Sequence, residues 1–301
     1  MEKKIFITGG HGFLGKQVYL KLKKSGYNNI IRPTKKKCNL ILEKDIIKIF
    51  KENKNIDTVI HLASVHGGLY YNINNKGSIY YKNILMNTKL MHYAMLNNVK
   101  KFISAGTVDS YPKKTSFPLK EKFIWDGYPE ETSAPYAFSK KMMIVQGQAY
   151  KEQFKFNHKH LLFMNLYGPG DNFDIKNSHV IPAIIKKIYL AKKNKKKHIT
   201  LFGSGNQKRE FLFISDAAIA IVKSVKRNTQ SPLINIGTGK AYDIKFIAKT
   251  IAKLMSYEGK IIWDTKINSG ILKKNFNINK AKKELKFLPK TKIEEGLKKT
   301  I

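Results

Sequence analysis

The sequence contains a single cysteine, Cys38, among its 301 residues. One cysteine cannot form an intrachain disulfide and makes a cysteine-based metal site implausible, so we predict no metal centre and a reducing compartment. Long apolar runs are also missing, since none approaches the roughly 18 uncharged residues of a membrane span. Residues 1–4 lead directly into the strand-like segment 5–7 without an apolar h-region, so no signal peptide is predicted. These absences predict a cytoplasmic protein with no membrane partner.

Acidic residues are scarce, because 21 Asp and Glu face 57 Lys and Arg, for a formal net charge of +36. Such an excess suits nucleic acid, an anionic membrane surface or acidic small molecules. The lysines are spread over nearly every predicted helix, which favours a general compositional bias. The Lys-rich run at 192–197 lacks the interleaved aromatic residues of a single-strand groove. We therefore predict no nucleic-acid partner and keep a basic, nucleic-acid-binding surface as the minority alternative.

The first half of the sequence alternates strand and helix patterns. Apolar strands are predicted at 5–8, 29–32, 58–63 and 101–104, and helices after the glycine-rich turn at 9–15 and at 46–53 and 83–97. This order predicts an α/β fold with a Rossmann-type doubly wound parallel sheet, which binds ligands beyond the carboxyl ends of its strands.

The pattern loosens after about residue 164, where a basic helix opens near Pro182, a short strand covers 199–202 and a turn covers 203–205. We predict a nucleotide-binding domain at 1–164 with a return segment at about 208–238. The remaining residues, 165–207 and 239–301, are predicted to form a smaller α/β lobe that binds substrate.

Three glycines, Gly9, Gly12 and Gly15, follow the first strand in a G-x-x-G-x-x-G pattern. Glycines allow the backbone to approach a pyrophosphate, and a helix N-terminus offers free N–H groups and partial positive charge. An ordinary tight turn is the alternative. The place of the motif between a strand and a helix favours dinucleotide binding.

The end of the second strand carries Arg32 and then Lys35, Lys36 and Lys37, with no acid. An Asp or Glu there would bind the 2′-hydroxyl of NAD, whereas cations suit a 2′-phosphate, so NADP(H) is predicted. In so lysine-rich a chain, these side chains could also be merely solvated.

A tyrosine and a lysine one helical turn apart, Tyr136 and Lys140, follow Pro135. We expect Lys140 to lower the phenol pKa from its ordinary value of about 10, and Tyr136 to donate a proton to a carbonyl oxygen as hydride arrives. Thr107, after the strand at 101–104, is the candidate hydroxyl that binds the same oxygen. Its alternative role is that of a turn residue.

Several further stretches make the chain resemble the GDP-L-fucose synthase family of extended short-chain dehydrogenases/reductases, which reduces GDP-4-keto-6-deoxy sugars. These are HLASVHGG at 61–68, PYA at 135–137, NLYGP at 165–169, DNF at 171–173, NSHVIP at 177–182, GSG at 203–205 and REFL at 209–212. The resemblance covers nearly the whole chain and implies a homodimer.

The resemblance also implies roles for individual residues. Thr107, Tyr136 and Lys140 form the reductive triad. The residues implied to bind the cofactor are Gly9, Gly12, Phe13, Leu14, Gly15, Arg32, Asn39, Leu40, Leu62, Ala63, Tyr136, Lys140, Asn165, Leu166 and His179. Those implied to bind the substrate are Asn165, Asn177, His179, Val180, Lys187, Phe202 and Arg209.

One position departs from the family pattern. Members that also epimerise carry a Cys two residues after the triad hydroxyl, paired with the histidine that corresponds to His179, but here the position is Asp109. A carboxylate of pKa about 4 is a weaker base than a thiolate of pKa about 8.5, unless burial raises its pKa. We therefore predict a C4 reductase of a GDP-4-keto hexose or heptose, in surface-polysaccharide synthesis, with weak or absent epimerisation. The alternatives are a full epimerase/reductase that uses Asp109 with His179, and a catalytically idle dinucleotide-binding protein with a basic surface.

Overall fold

The computed structural model describes residues 3–174, 177–266 and 273–301; Met1 and Glu2, where the first predicted domain begins, lie outside them. The strands are β1 (Ile5–Thr8), β2 (Ile30–Ile31), β3 (Thr58–His61), β4 (Lys101–Thr107), β5 (His158–Phe163), β6 (Asn165–Tyr167), β7 (His198–Phe202), β8 (Lys208–Phe213), β9 (Leu233–Ile236), β10 (Ala241–Asp243), β11 (Lys260–Asp264) and β12 (Lys273–Lys274). The helices are α1 (Phe13–Lys24), α2 (Glu43–Glu52), α3 (Leu69–Asn74), α4 (Lys76–Leu96), α5 (Ala134–Phe154), α6 (Val180–Lys193), α7 (Ile214–Lys226), α8 (Ile244–Leu254), α9 (Asn279–Leu285) and α10 (Ile293–Thr300).

Six strands form a parallel sheet in the order β2-β1-β3-β4-β5-β9. The chain leaves β1 on one side to form β2 and then crosses to the other side to form β3. The strand order therefore reverses at β1, and a crevice opens beyond the carboxyl ends of β1 and β3. The prediction of a Rossmann-type doubly wound sheet is confirmed.

Both faces of this sheet are buried, and alternate residues of β1 pack against the helices on opposite faces. Ile5 and Ile7 pack with α1, α7 and α9, whereas Phe6 packs with α2 and α4 on the opposite face. Successive strand residues point to opposite faces, so a four-residue apolar run supplies both cores. Burying each large aliphatic side chain stabilises the fold by about 1.5–3 kcal/mol, so the apolar residues of the strands hold helices against both faces of the sheet.

A second sheet is centred on β8, which pairs with β6 and β12 in parallel and with β10 in antiparallel orientation. Strands β7 and β11 form a separate parallel pair. Helices α6, α8 and α10 cover these strands and share a core of their own, in which Tyr167, Ile188 and Ile251 are buried. Because only Met164 separates the end of β5 from the start of β6, the second sheet starts directly beside the carboxyl edge of the first.

The structure differs from several predicted boundaries. The second strand covers 30–31 rather than 29–32, α4 begins at Lys76 rather than near 83, and α6 begins at Val180, two residues before Pro182. The predicted return segment at about 208–238 begins with β8, which pairs in the second sheet, and continues with α7, which packs on α1 beside the first sheet. Helix α9, in the predicted lobe, packs on α7 and β9 of the first sheet. None of the helices in the described ranges is long and apolar enough to span a membrane.

Candidate active site

A cavity of about 840 Å³ lies at the carboxyl edge of β1, β3, β4 and β5, where the strand order reverses. It brings together most of the residues that the sequence singled out. They are Gly9, Gly12, Phe13, Leu14, Gly15, Asn39, Leu40, Leu62, Ala63, Thr107, Asp109, Tyr136, Lys140, Asn165, Leu166, Asn177 and His179.

The glycine turn forms one end of the cavity. The Gly12 N–H donates to the Gly9 carbonyl at 2.9 Å, which closes the turn. A Cβ at Gly15 would lie 2.1 Å from the Gly9 oxygen, and one at Gly9 would lie 2.8 Å from the Ala63 nitrogen, so neither position has room for a side chain. The N-cap residue of α1, Gly12, has no side chain with which to cap the first turn, which leaves the N–H groups of that turn for a ligand. This cradle fits the pyrophosphate of a dinucleotide.

The end of β2 differs from the expectation in one detail. The Arg32 guanidinium stacks on the Tyr19 ring at 3.6 Å from its centre, and Arg32 is outside the set of residues that line the cavity. The residues that reach the cavity there are Pro33, Thr34 and Lys35. Asn39 is fixed nearby, because its N–H donates to the Asp45 carboxylate at 2.8 Å. A cation therefore faces this end of the cavity, but it is Lys35.

Helix α5 places Tyr136 and Lys140 on one face, with the Lys140 Nζ 5.7 Å from the centre of the Tyr136 ring. Both side chains are buried. Burial raises the pKa of Tyr136 to about 12, although a hydrogen bond with Ser64 opposes this, and burial lowers the pKa of Lys140 to about 8. The expected net lowering of the Tyr136 pKa is therefore not met, because desolvation of the phenolate is the largest effect and raises this pKa.

Strand β4 ends at Thr107, which faces the cavity and also begins a short 3-10 turn. The Thr107 hydroxyl accepts from the Asp109 N–H at 3.2 Å and donates to its Oδ2 at 3.4 Å. The other carboxylate oxygen of Asp109 lies 3.5 Å from the Nζ of Lys274, which comes from β12 of the second sheet. The turn role and the cavity role of Thr107 are thus compatible, and Asp109 is one half of an ion pair.

The second sheet supplies the opposite wall. The Asn165 Nδ2 donates to the Glu210 carbonyl at 2.9 Å, which ties β6 to β8. A smaller cavity of about 60 Å³ continues from the main one between Asn165, His179, Val180 and Arg209. Arg209 lies close enough to Asp109 for that carboxylate to oppose the lowering of its pKa by burial. This wall is rich in cations, as binding of an acidic ligand requires.

Two predicted substrate residues, Lys187 and Phe202, lie outside both cavities. The Lys187 Nζ donates to the Thr200 carbonyl at 2.8 Å and lies 4.6 Å from the centre of the Phe202 ring. Phe202 is 64% exposed. Their predicted contact with substrate stays a prediction.

Two cavity or wall residues were missed by the sequence reasoning. His66 follows β3, and its ring stacks on Tyr136 with centroids 4.8 Å apart and an interplanar angle of 16°. The same ring lies 5.2 Å from that of His179. His66 belongs to the stretch at 61–68 that carried the resemblance, but nothing in its spacing indicated a ring contact. Lys274 gave no signal at all, because lysine is common throughout the chain.

A glycine cradle at a sheet switch point, together with a Thr, Tyr and Lys in one cavity, defines a dinucleotide-dependent enzyme that acts on a carbonyl or an alcohol. The chain belongs to the NAD dependent epimerase/dehydratase family, whose model matches residues 5–237, and within it to the GDP-L-fucose synthase branch.

Particular relatives cover almost the whole chain. It is 33% identical to the GDP-L-colitose synthase of Yersinia pseudotuberculosis over 99% of this chain and 96% of that one. It is 30% identical to the GDP-L-fucose synthase of Escherichia coli, over 99% and 95% of the two chains. Among solved structures, a GDP-mannoheptose C4 reductase from Campylobacter jejuni with NADP bound is 25% identical, with a TM-score of 0.89 over 99% of this chain and 97% of that one.

Proposed function

We propose that the protein is an NADPH-dependent C4 reductase of a GDP-4-keto-6-deoxy-hexose or a related GDP-4-keto-heptose. The cofactor is NADP(H). The observation that carries the proposal is the meeting of the glycine turn with Thr107, Tyr136 and Lys140 in one cavity. The names of the relatives, which include fucose and colitose synthases and a heptose C4 reductase, support the substrate class.

The chemistry follows from the protonation states of the site. When bound, NADPH supplies the hydride that adds to the keto carbon. Tyr136, whose pKa is raised to about 12, keeps its proton at neutral pH and donates it to the developing alkoxide. When substrate binds, the Thr107 hydroxyl turns its one proton from Asp109 to the same oxygen and donates a hydrogen bond there. Lys140, charged below a pKa of about 8, favours the phenolate that remains after the transfer.

We also propose that epimerisation at C3 and C5 is weak or absent, because Asp109 stands where epimerising relatives carry a cysteine. One of its carboxylate oxygens is paired with Lys274, and its neighbour Arg209 adds positive charge. A carboxylate is a weaker base toward a C–H bond next to a ketone than the thiolate that it replaces. A bifunctional epimerase/reductase is the second candidate, because Asp109 and His179 line the same cavity.

The test is incubation with NADPH and GDP-4-keto-6-deoxymannose in D₂O, followed by NMR of the product. We expect NADPH oxidation and no deuterium at C3 or C5. Deuterium at either carbon would support the bifunctional alternative, and absence of NADPH oxidation with any GDP-4-keto sugar would overturn the proposal. Asp109→Cys is the matched variant, and deuterium uptake in this variant alone would assign the loss of epimerisation to Asp109.

The setting of the enzyme is also part of the proposal. We infer a homodimer, supported by exposed apolar side chains on the adjacent helices α4 and α5, namely Tyr81, Leu96, Val145 and Phe154. Light scattering should give twice the monomer mass. A cytoplasmic location, a role in surface-polysaccharide synthesis and contacts of Arg32, Lys187 and Phe202 with cofactor or substrate are proposed from the family resemblance.

A further inference from the structure

The His66 ring contacts the rings of two other residues of the active-site cavity, Tyr136 and His179. It is stacked on Tyr136 at 4.8 Å and 16°, and its other neighbour is the ring of His179 at 5.2 Å and 31°. The reduction chemistry described above uses Tyr136 and leaves His66 without a role. Yet no other side chain in the described part of the cavity is in ring contact with both Tyr136 and His179.

The loop that carries His66 is fixed on both sides. The Gly67 N–H donates to the Asn72 side chain at 3.1 Å, and the Gly68 N–H donates to the Asn177 carbonyl at 2.9 Å. A Cβ at Gly68 would lie 2.7 Å from the Asn177 carbonyl carbon, so only glycine allows the two loops to approach this closely. Since His179 follows Asn177 by two residues, this contact sets the spacing between His66 and His179.

The ring spacings decide how a substrate can approach. A sugar ring between two aromatic rings needs a centroid separation of about 7 Å, twice the usual carbon contact distance. Both separations from His66 are shorter, so no sugar fits between His66 and Tyr136 or between His66 and His179. The substrate must therefore meet Tyr136 at its hydroxyl edge, with one face of the phenol ring covered by His66.

The charges around His66 favour a neutral ring. Burial, and after it the interactions with His179 and Lys140, lower the pKa of His66 to about 4, while Asp109 and a hydrogen bond with the Gly67 backbone oppose this. At neutral pH the imidazole is uncharged and can pack against the phenol without repelling Lys140.

We propose that His66 is a positioning residue for the C4 reduction, which holds the Tyr136 phenol in place by ring stacking and fixes His179 against the same stack. This inference rests on the proposed function. A hydroxyl held to within a fraction of an ångström donates its proton efficiently, whereas a displacement of about 1 Å costs up to about 100-fold in rate.

The test compares His66→Ala with His66→Phe, which keeps a flat ring but has no nitrogen. With NADPH and GDP-4-keto-6-deoxymannose, we expect kcat of the Ala variant to fall by about 10–50-fold with KM changed less than about threefold. We expect the Phe variant to recover kcat to within about threefold of the parent. The solvent deuterium isotope effect on kcat should rise in the Ala variant, because proton donation becomes slower. Unchanged kcat in the Ala variant, or equal loss in both variants, would overturn the inference.

The stack can be tested without substrate, so that failure of this inference and of the proposed function are distinguishable. The His66 ring protons should show an upfield NMR shift from the Tyr136 ring current, and Tyr136→Leu should remove it while thermal unfolding stays cooperative. His66→Leu, which fills the space without a flat ring, serves if the Ala variant does not fold, and its kcat should also fall. A parent protein that shows the shift but oxidises no NADPH counts against the proposed function, whereas absence of the shift counts against the stack.

Discussion

The two walls of the active-site cavity are built by different means. On the wall of the first sheet, backbone atoms approach so closely that side chains are excluded, as at Gly9 and Gly15. On the wall of the second sheet, Arg209 of β8 lines the smaller cavity, and Lys274 of β12 pairs with Asp109. The backbone fixes the shape of the first wall. The ligand that binds to the second wall depends on which side chains its strands carry. We therefore expect substitutions on the first wall to abolish catalysis or cofactor binding, and substitutions on the second to alter substrate binding.

The largest effect is expected at the chemical centre of the first wall. Tyr136→Phe removes the proton donor and keeps the ring that stacks on His66. We expect kcat to fall by about 1000-fold, within the usual range for loss of a general acid. Stopped-flow measurement of NADPH oxidation gives kcat, and NADPH titration by fluorescence should give an unchanged Kd. A residual rate within tenfold of the parent would move the proton donor elsewhere.

A smaller effect is expected from the glycine cradle. Gly15→Ala places a Cβ 2.1 Å from the Gly9 oxygen, so the turn must open. Overpacking of this kind costs about 1–3 kcal/mol, which corresponds to up to about 100-fold weaker NADPH binding. Gly77→Ala is the control, because a Cβ at that position would have no neighbour within 4 Å and alanine favours helix α4. Calorimetric titration measures Kd for NADPH. Equal Kd values for both variants would show that the backbone of the first wall accommodates a side chain at position 15, contrary to the proposed difference between the walls.

The second wall should respond in substrate binding alone. Arg209→Met removes a cation from the smaller cavity, and a charge-assisted hydrogen bond is worth about 1.5–3 kcal/mol, so KM for the GDP-sugar should rise by about 10–100-fold. The neighbouring Lys208, which is exposed and paired with Asp243, provides Lys208→Met as the control with little change. Initial rates at saturating NADPH measure KM. A large loss of NADPH affinity in Arg209→Met would show that this wall also serves the cofactor.

The sequence predicted the first wall better than the second, for a physical reason. The glycine turn, Tyr136 and Lys140 depend on local spacing within one turn or one helix, so their geometry follows from secondary structure. The ion pair of Asp109 with Lys274 joins residues 165 positions apart and depends on how the second sheet pairs. No local pattern encodes that pairing.

The two misjudged features of the first wall are also tertiary effects. The pKa of Tyr136 rises because the folded chain buries it, which a four-residue spacing cannot reveal. The stack of His66 on Tyr136 requires the loops at Gly68 and Asn177 to meet. The glycine at position 68 was part of the family resemblance, but its purpose, the close approach of two backbones, appears only in three dimensions.

Three buried histidines lie in the first sheet beneath the first wall, where they affect the stability of the fold. The Ser104 hydroxyl lies 2.7 Å from a ring nitrogen of both His158 and His160, and His61 bonds with Thr8 at 2.7 Å and Asn87 at 2.8 Å. Burial lowers the pKa of His61 and of His158 to about 3 and also lowers that of His160. All three rings are therefore neutral in the folded protein at neutral pH.

These histidines predict that acid weakens the first sheet. In the unfolded chain their pKa is about 6.5, so between pH 6.5 and about 3 the unfolded state binds more protons. The contribution of the neutral, buried histidines to the free energy of unfolding is complete above pH 6.5. It is lost as the pH falls, by up to about 1.4 kcal/mol per pH unit for each histidine. Urea unfolding followed by circular dichroism at pH 8, 7, 6 and 5 measures the slope. His158→Gln should reduce the slope below pH 6.5, whereas His198→Gln, at an exposed site on β7, should leave it unchanged. Equal slopes in the parent and both variants would show that acid destabilises the protein through groups other than the buried histidines of the first sheet.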